Sequence, residues 1–147
     1  HTRCYTPVGG LLVVRPLGRL MSDQLYKDFA RWIDAALSQP LPGEIAAFNF
    51  NLYEGSECHE LELIGAPTYS PQCEDWACDN IFMSSSPRFR LPHSVVGAGW
   101  ESGLASSASL ILRYINSDRP GAVTLRRHQA VAVGFVDGNL QVVWAAA

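Results

Sequence analysis

The sequence predicts a single α+β domain over residues 1–147, in which an antiparallel sheet of about five to six strands carries two helices on one face. Two stretches repeat apolar residues at helical spacing, and several shorter stretches alternate apolar and polar residues or are β-rich. Clusters of Pro, Gly, Asn and Asp separate them. With 147 residues, 48% of them hydrophobic, the chain is long enough to bury one core without disulfides.

The first elements are a strand and a helix. Residues 8–15 form an apolar, β-rich run that predicts a strand ending at Pro16. Ser22 is then well placed to cap the start of a helix. Residues 39–43, rich in Pro and Gly, predict where this helix ends. Its buried stripe is expected to consist of Leu25, Phe29, Trp32, Ile33 and Ala36.

A hairpin follows, with strands at residues 45–53 and 58–64. Alternation places Phe48, Phe50 and Leu52 on one face of its first strand and Asn49, Asn51 and Tyr53 on the other. The leucines of the return strand share a face with His59 and are expected in the core. Glu60 and Glu62 alternate with them, so both are expected to point into water. The hairpin therefore predicts an acidic, asparagine-lined outer surface.

The middle of the chain is less regular. Residues 75–83 predict a short strand, with a turn at residues 76–78 as the alternative, and residues 84–92 predict a loop. A second helix is expected over residues 100–116. Its apolar stripe is Trp100, Leu104, Ala108, Ile111, Leu112 and Ile115.

The chain is expected to end in a second hairpin. Residues 117–121 should terminate the preceding helix. Asp137 and Gly138 predict a two-residue turn with positive φ at both positions. One face of the first strand carries only small residues, which predicts that a bulky element, expected to be a helix, packs closely there: Ala130, Ala132 and Gly134.

Composition argues against two classes of partner. The formal net charge is -3, and the sequence Arg126-Arg127-His128 is the only basic cluster, which argues against a nucleic-acid surface. No apolar run approaches the ~20 residues that span a bilayer. We expect a cytoplasmic protein, or a periplasmic one if a leader preceded His1, and no cofactor.

Residues 73–79 concentrate two thiols, three carboxylates and a tryptophan. Zinc would need Cys73 and Cys78 together with Cys58 and His59, but adjacent strand residues point to opposite faces of a sheet. A thiol nucleophile would need a nearby histidine, such as His59, and no nucleophile signature surrounds either cysteine of the segment. Reduced structural thiols are therefore favoured over metal binding or catalysis. A disulfide stays an open alternative.

The carboxylates of the hairpin and of this segment are better explained as a negative surface that attracts a basic partner. Trp76 lies in the most polar surroundings of the four tryptophans. It is either an exposed interface anchor or a side chain that turns inward and holds its loop to the core.

Three segments carry a family resemblance: Tyr53-Glu54-Gly55 leading into residues 60–65, residues 74–82, and residues 132–140. In these segments the chain resembles small single-domain immunity proteins of bacterial polymorphic-toxin and contact-dependent systems. The resemblance implies a non-enzymatic protein that binds one cognate toxin, encoded nearby, and occludes its active site.

We therefore expect no catalytic or metal-binding residues, and a surface that binds the partner through Glu60, Glu62, Glu74, Asp75, Trp76 and Asp79. The alternative is a small thiol- or zinc-dependent hydrolase centred on Cys73, Cys78 and His59.

Overall fold

The computed structural model describes the backbone of residues 16–147 and the side chains of residues 23–147. The strand predicted over residues 8–15 lies outside the described residues, and so does Cys4. Within the described part, no helix has both the length and the apolar character needed to cross a membrane.

The described residues confirm the α+β class, with one sheet beneath several helices. The six strands are β1 (Ala47–Tyr53), β2 (Cys58–Ala66), β3 (Phe82–Met83), β4 (Phe89–Pro92), β5 (Ala130–Phe135) and β6 (Gln141–Ala145). Their order is β3-β2-β1-β5-β6, and β4 also pairs with β2. The sheet is mixed rather than antiparallel throughout, because β5 lies parallel to β1. Parallel neighbours need a long crossover connection, and the helices between β4 and β5 belong to it.

The helices of the described residues are α1 (Pro16–Leu37), α2 (His93–Val96), α3 (Trp100–Ile115), α4 (Pro120–Arg126) and a 3-10 helix at Glu74–Cys78. The prediction of α3 is confirmed almost to the residue. The predicted cap at Ser22 is wrong, because Ser22 lies inside α1. Pro120 starts α4 where only a terminator was predicted. Proline suits a first helical position, where its missing N–H would have no partner.

The core lies between the helices and one face of the sheet, here called the helix face. Phe48, Phe50 and Leu52 of β1 are fully buried on it, as the alternation predicted. The ring of Phe29 in α1 lies 6.0 Å from that of Phe50 and 6.2 Å from that of Tyr114 in α3. The apolar stripes of α1 and α3 are thereby packed against each other and against the sheet.

A carboxylate connects α1, α3 and the residue that precedes α4. Asp34 in α1 accepts hydrogen bonds from the Tyr114 hydroxyl (2.7 Å) and from Nη1 of Arg119 (2.6 Å). Burial and this hydrogen bond to a carboxylate raise the pKa of Tyr114 far above its ordinary value. The phenol therefore stays a neutral donor that links α1 to α3.

The predicted stripe of α3 is wrong at two positions. Trp100 and Leu112 are 56% and 44% exposed. The buried side of the helix passes instead through the small residues Gly103 and Ser107. At Gly103 the absent Cβ lets α3 approach the ring of His59. Hydrophobicity alone could not show that small residues define this contact.

The turn between β5 and β6 also differs from its prediction. The two strands form the expected antiparallel pair. Neither Asp137 nor Gly138 has a positive φ, and the N–H of Gly138 donates to the carbonyl of Phe135 at 2.9 Å. The connection runs from Val136 to Leu140, so the two-residue turn is wrong while the hairpin is confirmed.

Candidate functional site

The second face of the sheet, here called the loop face, carries Asn49, Asn51 and Tyr53 of β1 and is partly covered by residues 67–81. A small apolar cluster lies under this segment: Ala47, Ile64, Ala66, Trp76, Ala130, Ala132 and Leu140. The small residues of β5 leave space for bulky groups, as predicted. The prediction was a helix, but the space is filled by the side chains of Trp76 and Leu140.

Trp76 is not an exposed anchor. It is 6% exposed, and its ring meets that of Tyr69 edge-on at 5.3 Å. The 3-10 helix turns the indole toward the sheet, which is the second of the two orientations that the sequence allowed. Residues 75–83 thus form a helical turn followed by the short strand β3. The prediction that Trp76 is a surface contact is therefore wrong. Its side chain holds the segment to the sheet.

Glu62 does not point into water. It is 7% exposed, and its Oε1 accepts hydrogen bonds from the Tyr53 hydroxyl (2.8 Å) and from Nδ2 of Asn51 (3.2 Å). Nε of Arg88 lies 3.8 Å from its other oxygen. The cross-strand neighbour Asn51, with Tyr53 and Arg88, encloses the carboxylate from three sides.

Glu60 keeps partial exposure, but it is also paired. Nη1 of Arg88 lies 3.4 Å from its carboxylate, and the guanidinium of Arg88 stacks 3.6 Å from the centroid of the Tyr53 ring. Arg90 lies opposite Glu60 in the β2–β4 register and donates to Sγ of Cys58 at 3.2 Å. Both glutamates that were predicted to form an acidic surface therefore pair with Arg88. The sequence did not indicate this because residues 84–92 were expected to form a loop.

Tyr53 is held as a donor in this network. Two effects raise the pKa of its phenol: burial, which is the larger, and the hydrogen bond to Glu62. The phenol therefore keeps its proton at neutral pH and directs it at the carboxylate.

The carboxylates of residues 73–79 have a different environment. Asp75 and Asp79 are exposed, while Glu74 is half-buried and accepts the N–H of Leu140 at 3.2 Å. The structure brings Glu74 and Asp75 together at the rim of one cavity. It does not bring them together with Glu60 and Glu62, which lie in a separate shallow pocket beside Ser84–Arg88.

The cavity has a volume of about 230 Å³ and lies between the 3-10 helix, β1 and the β5–β6 connection. We call it the Asn49 cavity. Its lining among the described residues mixes polar and acidic residues with apolar ones: Asn49, Asn51, Glu74, Asp75, Cys78 and Asn80, together with Ile64, Ala77, Phe135, Val136 and Leu140.

Asn49 is the most informative residue of the cavity. It is 1% exposed, and its Nδ2 donates to Oδ1 of Asn51 at 2.8 Å. Its own Oδ1 is buried and accepts no hydrogen bond. The role of Asn49 and Asn51 was not predicted, although the asparagine-lined face of β1 was visible in the sequence. Alternation indicates the face of a strand but not which polar atoms find partners.

The elements of the alternative hydrolase are not brought together. Cys73 and Cys78 are exposed and are not bonded to each other, and Cys58 is a buried free thiol. His59 lies on the helix face, as predicted, where its ring centroid is 4.6 Å from that of His93. The sheet therefore separates this histidine from both exposed thiols. Within residues 23–147, no group of three or more candidate ligands is placed to hold a metal ion.

Comparisons of the chain with protein-family models, with curated proteins and with solved structures found no match. The resemblance to immunity proteins stays a prediction based on the segments quoted above.

Proposed function

We propose that the protein is an immunity protein that binds a basic surface of a cognate bacterial toxin through residues 73–80, and so blocks the toxin's active site. The observation that carries the proposal is the acceptor-lined Asn49 cavity, with Asp75 at its rim and Asp79 in the same exposed segment. Among the described residues, α1, α3 and α4 pack on the helix face, away from this cavity.

The charges of this segment support a protein partner with positive charge. Among the described residues, neither Asp75 nor Asp79 forms an ion pair, so both carboxylates can attract a distant cation. Complementary charge of this kind raises the rate of association and selects the partner. Glu60 and Glu62 are already paired with Arg88, so the interface is smaller than the sequence predicted. It consists of Glu74, Asp75, Asp79 and the cavity between them and β1.

A toxin that acts on an anionic substrate, such as a nucleic acid or a nucleotide, would present a basic cleft. An acidic segment inserted there would compete with the substrate for the same cations. We therefore expect the toxin to be a nuclease or a nucleotide-using enzyme, inhibited by direct occlusion.

The test is binding to the product of the adjacent gene, measured by isothermal titration calorimetry. Asp75→Lys should weaken binding at least tenfold, which corresponds to about 1.4 kcal/mol. The matched control is Asp118→Lys, because Asp118 is also exposed and lies between α3 and α4, which pack on the helix face. Added salt should weaken binding of the native protein as well.

If the adjacent product does not bind, or if Asp75→Lys folds and binds as tightly as Asp118→Lys, the proposal is wrong.

A further inference from the structure

We propose that the Asn49 cavity is a receptor for a single guanidinium group. The inference rests on the proposed function in one respect only, the source of the guanidinium, which we take to be an arginine side chain of the partner. The recognition chemistry belongs to the cavity itself.

The first step is the direction of the hydrogen bonds that join Asn49, Asn51 and Glu62 along the loop face. An ionised carboxylate can only accept, so Glu62 requires the NH2 group of Asn51 to face it. The carbonyl of Asn51 then faces Asn49 and accepts its NH2 group. Glu62 therefore fixes the orientation of both amides, which otherwise could not be distinguished from their flipped forms.

The second step is the consequence for the last member of the chain. With its NH2 group committed to Asn51, Asn49 is left with Oδ1 as a buried acceptor that has no partner. Such groups are rare because they have lost water without gaining a hydrogen bond. A ligand that brings a donor to the base of the cavity removes this penalty, so the cavity selects for donors.

The third step is charge. Asp75 is an exposed carboxylate of the lining that forms no ion pair among the described residues. Glu74, the other acidic residue of the lining, accepts the N–H of Leu140. A cationic donor is therefore favoured over a neutral one, since it can pair with Asp75 while it donates to Asn49.

The fourth step is size and shape. A volume of about 230 Å³ is below the ~300–1,000 Å³ typical of pockets for drug-sized ligands, so it suits one side chain. The side chains of Ile64 and Leu140 add apolar surface to the lining. A guanidinium is planar, weakly hydrated and carries five N–H donors, so it can lie against apolar atoms and still reach several acceptors. An ammonium group is more strongly hydrated and suits such a half-apolar cavity less well.

The direct test uses the isotope-labelled full-length protein and three probes in an NMR titration: N-ethylguanidinium, ethylammonium and the neutral N-ethylurea. N-ethylguanidinium should cause saturable shifts of the side-chain amides of Asn49 and Asn51. We expect ethylammonium to bind at least several-fold more weakly and N-ethylurea not to saturate.

Two variants and a control connect the response to the cavity. Asp75→Asn removes one exposed charge without changing size, and should weaken N-ethylguanidinium at least several-fold. Asn49→Val removes the unpaired acceptor and should abolish specific shifts, with circular dichroism used to establish that it folds. Asp118→Asn should bind as the native protein does. The proposal is overturned if N-ethylguanidinium does not saturate, or if it binds Asp75→Asn and Asp118→Asn equally.

A competition arm separates the possible sources of the guanidinium. If N-ethylguanidinium at saturating concentration weakens toxin binding, the partner's arginine occupies the cavity. If the toxin binds unchanged, an arginine-like small molecule is the ligand, and the partner arginine is ruled out.

The same data separate the two proposals. Saturable guanidinium binding without toxin binding removes the immunity function and keeps the receptor. Toxin binding that depends on Asp75, without guanidinium binding, removes the receptor and keeps the function.

Discussion

Replacing Trp76 tests whether the central segment is held to the sheet by a buried side chain. The indole of Trp76 is buried between its own segment, residues 67–81, and the sheet, and is only 6% exposed. Trp100 at the start of α3 is 56% exposed. Trp76→Ala should therefore destabilise the protein, and Trp100→Ala should scarcely do so. The two tryptophans are matched in chemistry and differ in burial.

The magnitude follows from the area that each indole removes from water. A buried aromatic side chain covers on the order of 150–250 Å², which at ~25 cal/mol per Å² corresponds to roughly 4–6 kcal/mol. The unfolded chain already buries part of that area, so the measured loss should be nearer ~3–5 kcal/mol for Trp76→Ala. Trp100→Ala should cost less than about 1 kcal/mol, as surface substitutions generally do.

The assay is urea unfolding followed by far-ultraviolet circular dichroism, which does not depend on the fluorescence of the substituted residues. In a chain of this size ~1 kcal/mol shifts the melting temperature by about 2–4 °C, so Trp76→Ala should melt roughly 10 °C lower. Trp76→Phe should fall between the native protein and Trp76→Ala. Equal stability losses for Trp76→Ala and Trp100→Ala would falsify the inward placement of Trp76.

Two further predictions concern the helix face and the tyrosines. A Cβ added at Gly103 would lie 2.8 Å from Cδ2 and Nε2 of His59, whose ring is confined by His93 and Phe135. Gly103→Ala should therefore lower the free energy of unfolding by about 1–3 kcal/mol in urea denaturation, and the result is contradicted if Gly103→Ala is as stable as the control Ser106→Ala. The raised pKa values of Tyr53 and Tyr114 mean that the folded state favours the neutral phenols. Their contribution is fully present below the unfolded pKa of about 10 and is lost as pH rises through the folded values, so the free energy of unfolding should fall above about pH 10. Tyr114→Phe should be less stable at pH 7 and should lose less on alkalinisation, and equal pH slopes for the two proteins would refute the assignment.

The sequence determined those elements whose signal is local. The helix at Trp100–Ile115 and the strands β1, β2 and β5 were predicted close to their observed positions, because a periodic pattern of apolar residues identifies both the element and its buried face. The apolar core of Phe48, Phe50 and Leu52 follows from the same alternation. The elements that escaped prediction, α2, α4 and β4, are short and carry too few residues for a period to show.

Tertiary structure decided what covers each face. Alternation placed Glu62 opposite the core, but only the pairing of β2 with β4 brought Arg88 to it and turned a predicted surface charge into a buried one. Trp76 could have faced either way, and the small residues of β5 decided the outcome by leaving space over the sheet. The unpaired oxygen of Asn49 likewise depends on a chain of amides that starts at Glu62 on the neighbouring strand. These contacts join residues that are distant in sequence, so no local pattern records them, and they shape the Asn49 cavity.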